Sequence, residues 1–354
     1  MNQKVSLFNH THHSFCDFIF AELGKGRDHA GLIYEEFFRT GLITGQQPAF
    51  NNAQNILKEI LARIECSLPH LHLEKNDGET KKFLLKTHDG LDIESVVIPM
   101  QAGGTLCISS QVGCRMGCAF CETGRMGLLR NLTVEEILSQ VFIARHTLGY
   151  SIRNIVFMGM GEPFDNYEAV MQAARILMEP NGFGFGRNHI TISTSGLASA
   201  IRQFTYEKGP KPNLAVSINA PDDLSRNRLM PVNRKHSMQD LHEAMREYNE
   251  ITGLEILTAY VLLKDVNDSL EHADRLAAYL QGLHVKINLI PYNPQTRDRF
   301  ARPEEEVIEA FRQRLRAHGY QALLRLTRGK DIMAACGQLG NPKLRALFHS
   351  SKTP

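Results

Sequence analysis

With 354 residues and 43% hydrophobic side chains, the chain can build one large α/β domain plus a smaller appendage. No apolar run approaches the roughly 20 residues that span a bilayer, and Met1-Asn2-Gln3-Lys4-Val5-Ser6 lacks a secretory apolar stretch, so we expect a cytoplasmic protein without membrane contact. A formal net charge of +2 excludes little, but seven cysteines, three of them in one short run, speak for metal or redox chemistry in a reducing compartment rather than a disulfide framework.

Residues 1–90 read as a small, mainly helical accessory domain, with helical periodicity over Phe15–Leu23, Leu32–Phe38 and Ala53–Cys66. Lys82–Lys86 and Ile93–Pro99, separated by His88-Asp89-Gly90, predict a hairpin. From Thr105 the pattern alternates. Strands are expected at Leu106–Ser109, Asn154–Gly159, His189–Thr194, Asn213–Ile218, Ile256–Leu263 and Val285–Ile290. Helices are expected at Thr133–His146, Tyr167–Met178, Ala198–Thr205, Ser237–Thr252, Leu270–Leu283 and Glu304–His318, and Thr133 with Glu136 forms a capping-box signal. Six β–α alternations imply an α/β fold with a parallel sheet, since each parallel return needs a crossover. Residues 91–340 then form the core domain and 341–354 a basic tail. From Phe311 to Pro354 nine Lys/Arg face one acid, Asp331, which suits a phosphate backbone and a solubilising end equally.

Cys114, Cys118 and Cys121 form a C-x₃-C-x₂-C run after an apolar stretch. Three thiolates can hold three corners of an iron–sulfur cube and leave one iron open, as an open position marks reactive zinc sites. The competing reading is zinc with Cys107 as fourth ligand, although zinc ligands usually come as two spaced pairs. Gly159-Met160-Gly161-Glu162-Pro163 follows a strand; its glycines permit close backbone approach and Glu162 can accept an ammonium, yet an ordinary turn explains it as well. Cys336 alone reads as a buried small hydrophobe, while Arg328 and Lys330 nearby in sequence favour a thiolate. On their own terms Glu94 is a solvated hairpin position, and Cys107, Cys16 and Cys66 are structural.

The cysteine run resembles that of the radical S-adenosylmethionine (SAM) superfamily. The block from Cys107 to Thr133, and the string from Thr327 to Leu339 around Cys336, resemble more narrowly the RlmN/Cfr family of RNA adenine methyltransferases. The likeness covers roughly residues 90–340. It implies a partial (β/α)₆ TIM-like barrel with chemistry at the C-terminal strand ends. It also implies a 4Fe-4S cluster on Cys114, Cys118 and Cys121, and SAM contacts at Gly161, Glu162, Ser193, Ser217, Ile218, Asn219 and Asn293. By the same resemblance two SAM molecules are expected per turnover, with Cys336 as methyl carrier, Cys107 resolving the RNA adduct and Glu94 relaying a proton. The implied product is adenosine methylated at C2 or C8 in rRNA, with tRNA as a further substrate. The implied partners are an electron donor such as flavodoxin or ferredoxin and a thiol reductant for a transient disulfide. One departure stands out: where the family has Ser-Leu-His, this chain has Ser217-Ile218-Asn219, and an amide cannot titrate near neutrality. The N-terminal helices and Arg312, Arg314 and Arg316 are candidate RNA-holding elements. Two alternatives remain at this level: a radical SAM enzyme acting on a polypeptide, and a zinc-containing RNA-binding module on Cys107, Cys114, Cys118 and Cys121.

Overall fold

The computed structural model describes residues 4–295, 299–325, 329 and 332–340. Strands β1 (His70–Asp77), β2 (Thr80–Lys86) and β3 (Asp92–Ile98) form an antiparallel meander that pairs, through β3, with β4 (Gly104–Cys107). A separate hairpin follows, β5 (Gln111–Cys114) with β6 (Gly127–Asn131). From β4 the main sheet runs parallel through β7 (Ile152–Phe157), β8 (Ile190–Thr194), β9 (Asn213–Ser217), β10 (Ile256–Leu262), β11 (Val285–Pro291) and β12 (Ala322–Leu324). Strands β12 and β1 are its two edges, so the barrel is open. The expected α/β class and the six β–α units are present. Strand β12 is an addition, too short at three residues for its periodicity to show. Strand β1 was also unexpected, because it is an exposed edge with few buried side chains to pattern it.

The N-terminal helices are α1 (His12–Leu23), α2 (Arg27–Thr40) and α3 (Gln54–Leu61), and the short α4 (Glu122–Met126) lies inside the β5–β6 hairpin. Crossovers are made by α5 (Val134–Phe142), α6 (Tyr167–Met178), α7 (Ala198–Tyr206), α8 (Asp223–Leu229) with α9 (Met238–Thr252), α10 (Leu270–Tyr279) and α11 (Glu305–Ala317). The Thr133 capping box forms as expected: its hydroxyl accepts from Glu136 N at 3.2 Å, and Thr133 N donates to the Glu136 carboxylate at 3.0 Å. Helix α3 stops five residues before the expected Cys66. There the chain turns into a bridge with Val5, whose N–H donates to Arg63 O while Glu65 N donates to Val5 O, both at 2.9 Å. Phe37 stacks on Phe142 at 4.7 Å between centroids, seating the N-terminal helices against α5.

Strand alternation sets which side chains meet the site. In β10, Ile256, Thr258, Tyr260 and Leu262 are buried under the helices, while Leu257, Ala259 and Val261 line the central cavity. Each outer aliphatic contributes about 2 kcal/mol by burial, and a slip of one residue would exchange the two sets, so the register is strongly fixed. Among the described residues no helix is long and apolar enough to cross a membrane. The basic end of α11 is less free than its sequence reads. Arg314 forks onto Asp274 at 2.6 and 2.8 Å, and Arg312 pairs with Glu309 at 2.8 Å. The tail 341–354, Arg328 and Lys330 lie outside the described residues.

Candidate active site

Cys114 ends β5, and Cys118 and Cys121 follow in the turn leading into α4. That helix can sit against the turn only because Gly124 lacks a side chain: a Cβ there would lie 2.9 Å from Cys118 N. The three thiols line one cavity of about 180 Å³, together with Gly161, Glu162, Ser193, Ser217, Asn219, Asn293 and Cys336. Burial pushes the Cys114 and Cys118 thiols up, and the charges of the neighbouring cysteines and Glu162 add to the rise.

Glu162 is the buried acid of this cavity. Its Oε2 accepts from Ser195 N at 2.7 Å and its Oε1 from Phe164 N at 3.1 Å, while its own N–H donates to Gln111 Oε1 at 2.9 Å. Burial raises its pKa against the pull of those donors. A carboxylate has about four acceptor sites, so an ammonium can still be received and would offset the burial. Gly161, at φ 108°, is required by the protein itself: a Cβ would meet Gln111 N at 2.7 Å. Ile218 is fully buried and is not among the residues lining this cavity; its N–H donates to Ala259 O at 2.9 Å and its carbonyl accepts from Arg226 Nε at 3.1 Å.

Asn219 explains part of its own departure. It is held in left-handed backbone geometry at φ 58°, which Asn tolerates better than most residues. Its Oδ1 accepts from Val261 N at 2.8 Å, so the amide completes the end of β10 while still lining the cavity.

Cys336 arrives from the far end of the chain on a loop clasped from several sides. Asn293 Nδ2 donates to Cys336 O at 3.2 Å, Glu122 N to Gly337 O at 2.8 Å, and Thr123 Oγ1 to Leu339 O at 2.5 Å. Gln338 Nε2 donates to Pro294 O at 2.6 Å, and Lys82 Nζ to Met333 O at 3.0 Å. Cys336 also lines a second cavity of about 490 Å³ with Cys107, Arg325 and Asn293. There burial pushes the Cys107 thiol up to about 12, helped by Cys336 and opposed by Arg325. Cys107 therefore belongs with Cys336 and not with the cysteine run, which removes the fourth ligand of the zinc reading. Glu94 is buried rather than solvated, with Oε2 2.7 Å from Lys82 Nζ.

A model of the radical SAM superfamily matches residues 108–277. The chain is 58% identical over 341 residues to the probable dual-specificity RNA methyltransferase RlmN 1 of Protochlamydia amoebophila, covering 96% of this chain and 95% of that protein. It is 41% identical to the dual-specificity RNA methyltransferase RlmN of Syntrophotalea carbinolica, covering 95% of this chain and 90% of that one. The crystal structure of a radical SAM methyltransferase from Sphaerobacter thermophilus superposes with a TM-score of 0.86 at 40% identity, covering 94% of this chain and 98% of that one. The chain belongs to the RlmN/Cfr-type radical SAM RNA methyltransferases.

Members of this family use SAM and a 4Fe-4S cluster. Among the described residues no three His, Cys, Asp or Glu side chains converge on a single ion. A cube is larger than an ion, so its thiolates stand apart, and three thiols raised by burial, Cys114 and Cys118 also by the charge of neighbouring cysteines, gain from a cationic iron centre. The residues fit the group. Sequence reasoning did not find Gln111, Arg325, Lys82 or Arg226. A single Lys in a strand or Arg in a helix carries no signal of burial, and only the tertiary fold turns Lys82 and Arg226 inward. Gln111 and Arg325 have no spacing signal at all.

Proposed function

We propose that this chain methylates a ring carbon of adenosine, C2 or C8, in rRNA and in tRNA, with the methyl group carried on Cys336. The observation that carries the reading is that Cys336 lines both cavities, one with the cysteine run and the other with Cys107. The dual specificity in the relatives' names supports more than one RNA target.

Cys114, Cys118 and Cys121 would hold the cluster, and Gly161, Glu162, Ser193, the Ser217-Ile218-Asn219 turn and Asn293 would hold SAM. When bound, these groups supply a one-electron cleavage, fed by a flavodoxin- or ferredoxin-like donor, that yields a species able to take hydrogen from a methyl group. Amidine carbons of adenine are electron-poor and do not attack a sulfonium as ring nitrogens do, so the carbon must arrive as a radical. Cys336 sulfur first accepts a methyl group from one SAM by displacement; a second SAM serves the hydrogen abstraction. The resulting S–CH₂ radical adds to the adenine carbon, forming a covalent adduct. Glu94, on β3 beside the Cys107 strand, accepts the proton leaving that carbon, and the surplus electron would pass to the oxidised iron–sulfur centre that Cys114, Cys118 and Cys121 would hold. Cys107 thiolate then attacks Cys336 sulfur, and the S–CH₂ bond breaks with its electron pair going to the carbon, which takes up a proton to become the methyl group; the Cys107–Cys336 disulfide left behind is reduced by a cellular thiol through exchange. The target base has to leave its stack to enter. Residues 1–90 would hold the RNA.

Mass spectrometry of RNA nucleosides from cells with and without the gene tests the substrate. Loss of 2-methyladenosine or 8-methyladenosine supports it; no change in either refutes it.

A further inference from the structure

Arg226 heads the fully buried side chains of the described residues by volume, and nothing above uses it. A guanidinium taken from water is strongly destabilising unless both its donors and its charge are answered. The donors are answered. Nε donates to Ile218 O at 3.1 Å, Nη2 to Ser195 O at 2.6 Å and Ser217 O at 3.0 Å, and Nη1 to Asn233 Oδ1 at 2.8 Å. All four acceptors are neutral. Asp223 is reached only through the Asn233 amide, whose Nδ2 donates to its Oδ1 at 2.7 Å. By contrast, buried Lys82 has Glu94 in direct contact, and Arg130 has both Asp89 and Glu136.

The cavity of the three thiols is close by: Ser195 and Ser217, whose carbonyls Arg226 holds, line it together with Cys114, Cys118 and Cys121. Ala119 N, between two of the cysteines, donates to Leu229 O at the end of α8 at 2.9 Å, and Cys118 and Cys121 pack against the apolar cluster that contains Leu229 and Met230.

We propose that Arg226 is the fixed countercharge of the iron–sulfur centre and raises its reduction potential. This rests on the reading that Cys114, Cys118 and Cys121 hold the cluster. Three thiolates leave the centre net negative, and reduction by the electron donor adds one more negative charge. A cation nearby in a low dielectric stabilises the reduced form more than the oxidised one. The same guanidinium also positions the ends of β8 and β9 by holding three of their carbonyls.

The test is a redox titration, followed by electron paramagnetic resonance, of the anaerobically reconstituted full-length protein without SAM. Arg226→Gln is expected to move the midpoint to more negative potential, so the reduced-to-oxidised ratio at a fixed applied potential falls about tenfold. Arg226→Lys keeps the charge but not the fork, and is expected to stay near the wild-type midpoint. A wild-type midpoint for the Gln variant, or an equal shift for both variants, overturns the proposal in favour of a purely structural clip. Should the Gln variant fail to fold, Arg226→Met, equally uncharged and apolar along its length, takes its place: a lowered midpoint sustains the countercharge and a wild-type midpoint refutes it. Wild-type protein that takes up no cluster would strike the underlying reading instead, a separate outcome.

Discussion

The loop of Cys114, Cys118 and Cys121 and the loop of Cys336 face one cavity, yet they are built in opposite ways. The first is local: its thiols follow one another from the end of β5 into the turn before α4, and Gly124 lets α4 close against that turn. The second comes from the distant end of the chain and takes its place from Thr123, Asn293, Pro294 and Lys82. A local motif carries its geometry in its spacing, whereas a remote one borrows it from other elements. Damage to the first should be all-or-none and damage to the second graded.

The largest effect belongs to the local loop. Cys118→Ala should lose iron, SAM cleavage and methylation together, read by iron content and 5′-deoxyadenosine yield. A variant that kept its iron would break the contrast at once. Next comes Cys336→Ala, which should keep full iron and still cleave SAM while RNA methylation falls to background. Parallel loss of SAM cleavage would show that the two loops are not separable in function. Below these lies the clasp. Thr123→Val removes one buried hydrogen bond to Leu339, worth about 1 kcal/mol, and misplacing the carrier should slow methylation roughly tenfold to a hundredfold at unchanged iron content. Single-turnover rates equal to wild type would show that the loop holds itself.

Reading ahead from sequence worked where chemistry and spacing coincide. The cysteine run, the six β–α units and the Thr133 cap are all local patterns, and each stands where the sequence places it within a few residues. What was not legible depends on direction. Lys82 alternates onto the inner face of the meander, but a lysine in a hairpin reads as solvated until Glu94 is seen beside it. Arg226 sits among charges in Asp223–Leu229 that resemble an exposed helix face. The meeting of Cys107 with Cys336 has no basis in spacing at all; it entered through resemblance and is a product of the fold.

The smallest predicted effect lies outside both loops, at the Asp89–Arg130–Glu136 network that ties the β2–β3 turn to β6 and α5. The Arg130 fork, at 2.7 and 2.9 Å, holds the Asp89 carboxyl well below the usual carboxylate range. A lowered pKa in the fold means stability present above the unfolded value of about 4 and lost as pH falls below it. Asp89 is partly exposed, so the gain is about 1 kcal/mol or less. Melting between about pH 5 and pH 3 should therefore fall less steeply in Asp89→Asn than in wild type. Equal slopes would mean that the network contributes nothing.

The claim that the transferred carbon passes through Cys336 is tested most directly with SAM bearing a trideuterated methyl group. Passage through an S–CH₂ radical requires one deuterium to be taken and a proton to replace it, so the methyladenosine formed should carry a dideuterated methyl group. A fully trideuterated product, or undiminished product from Cys336→Ala, would contradict it.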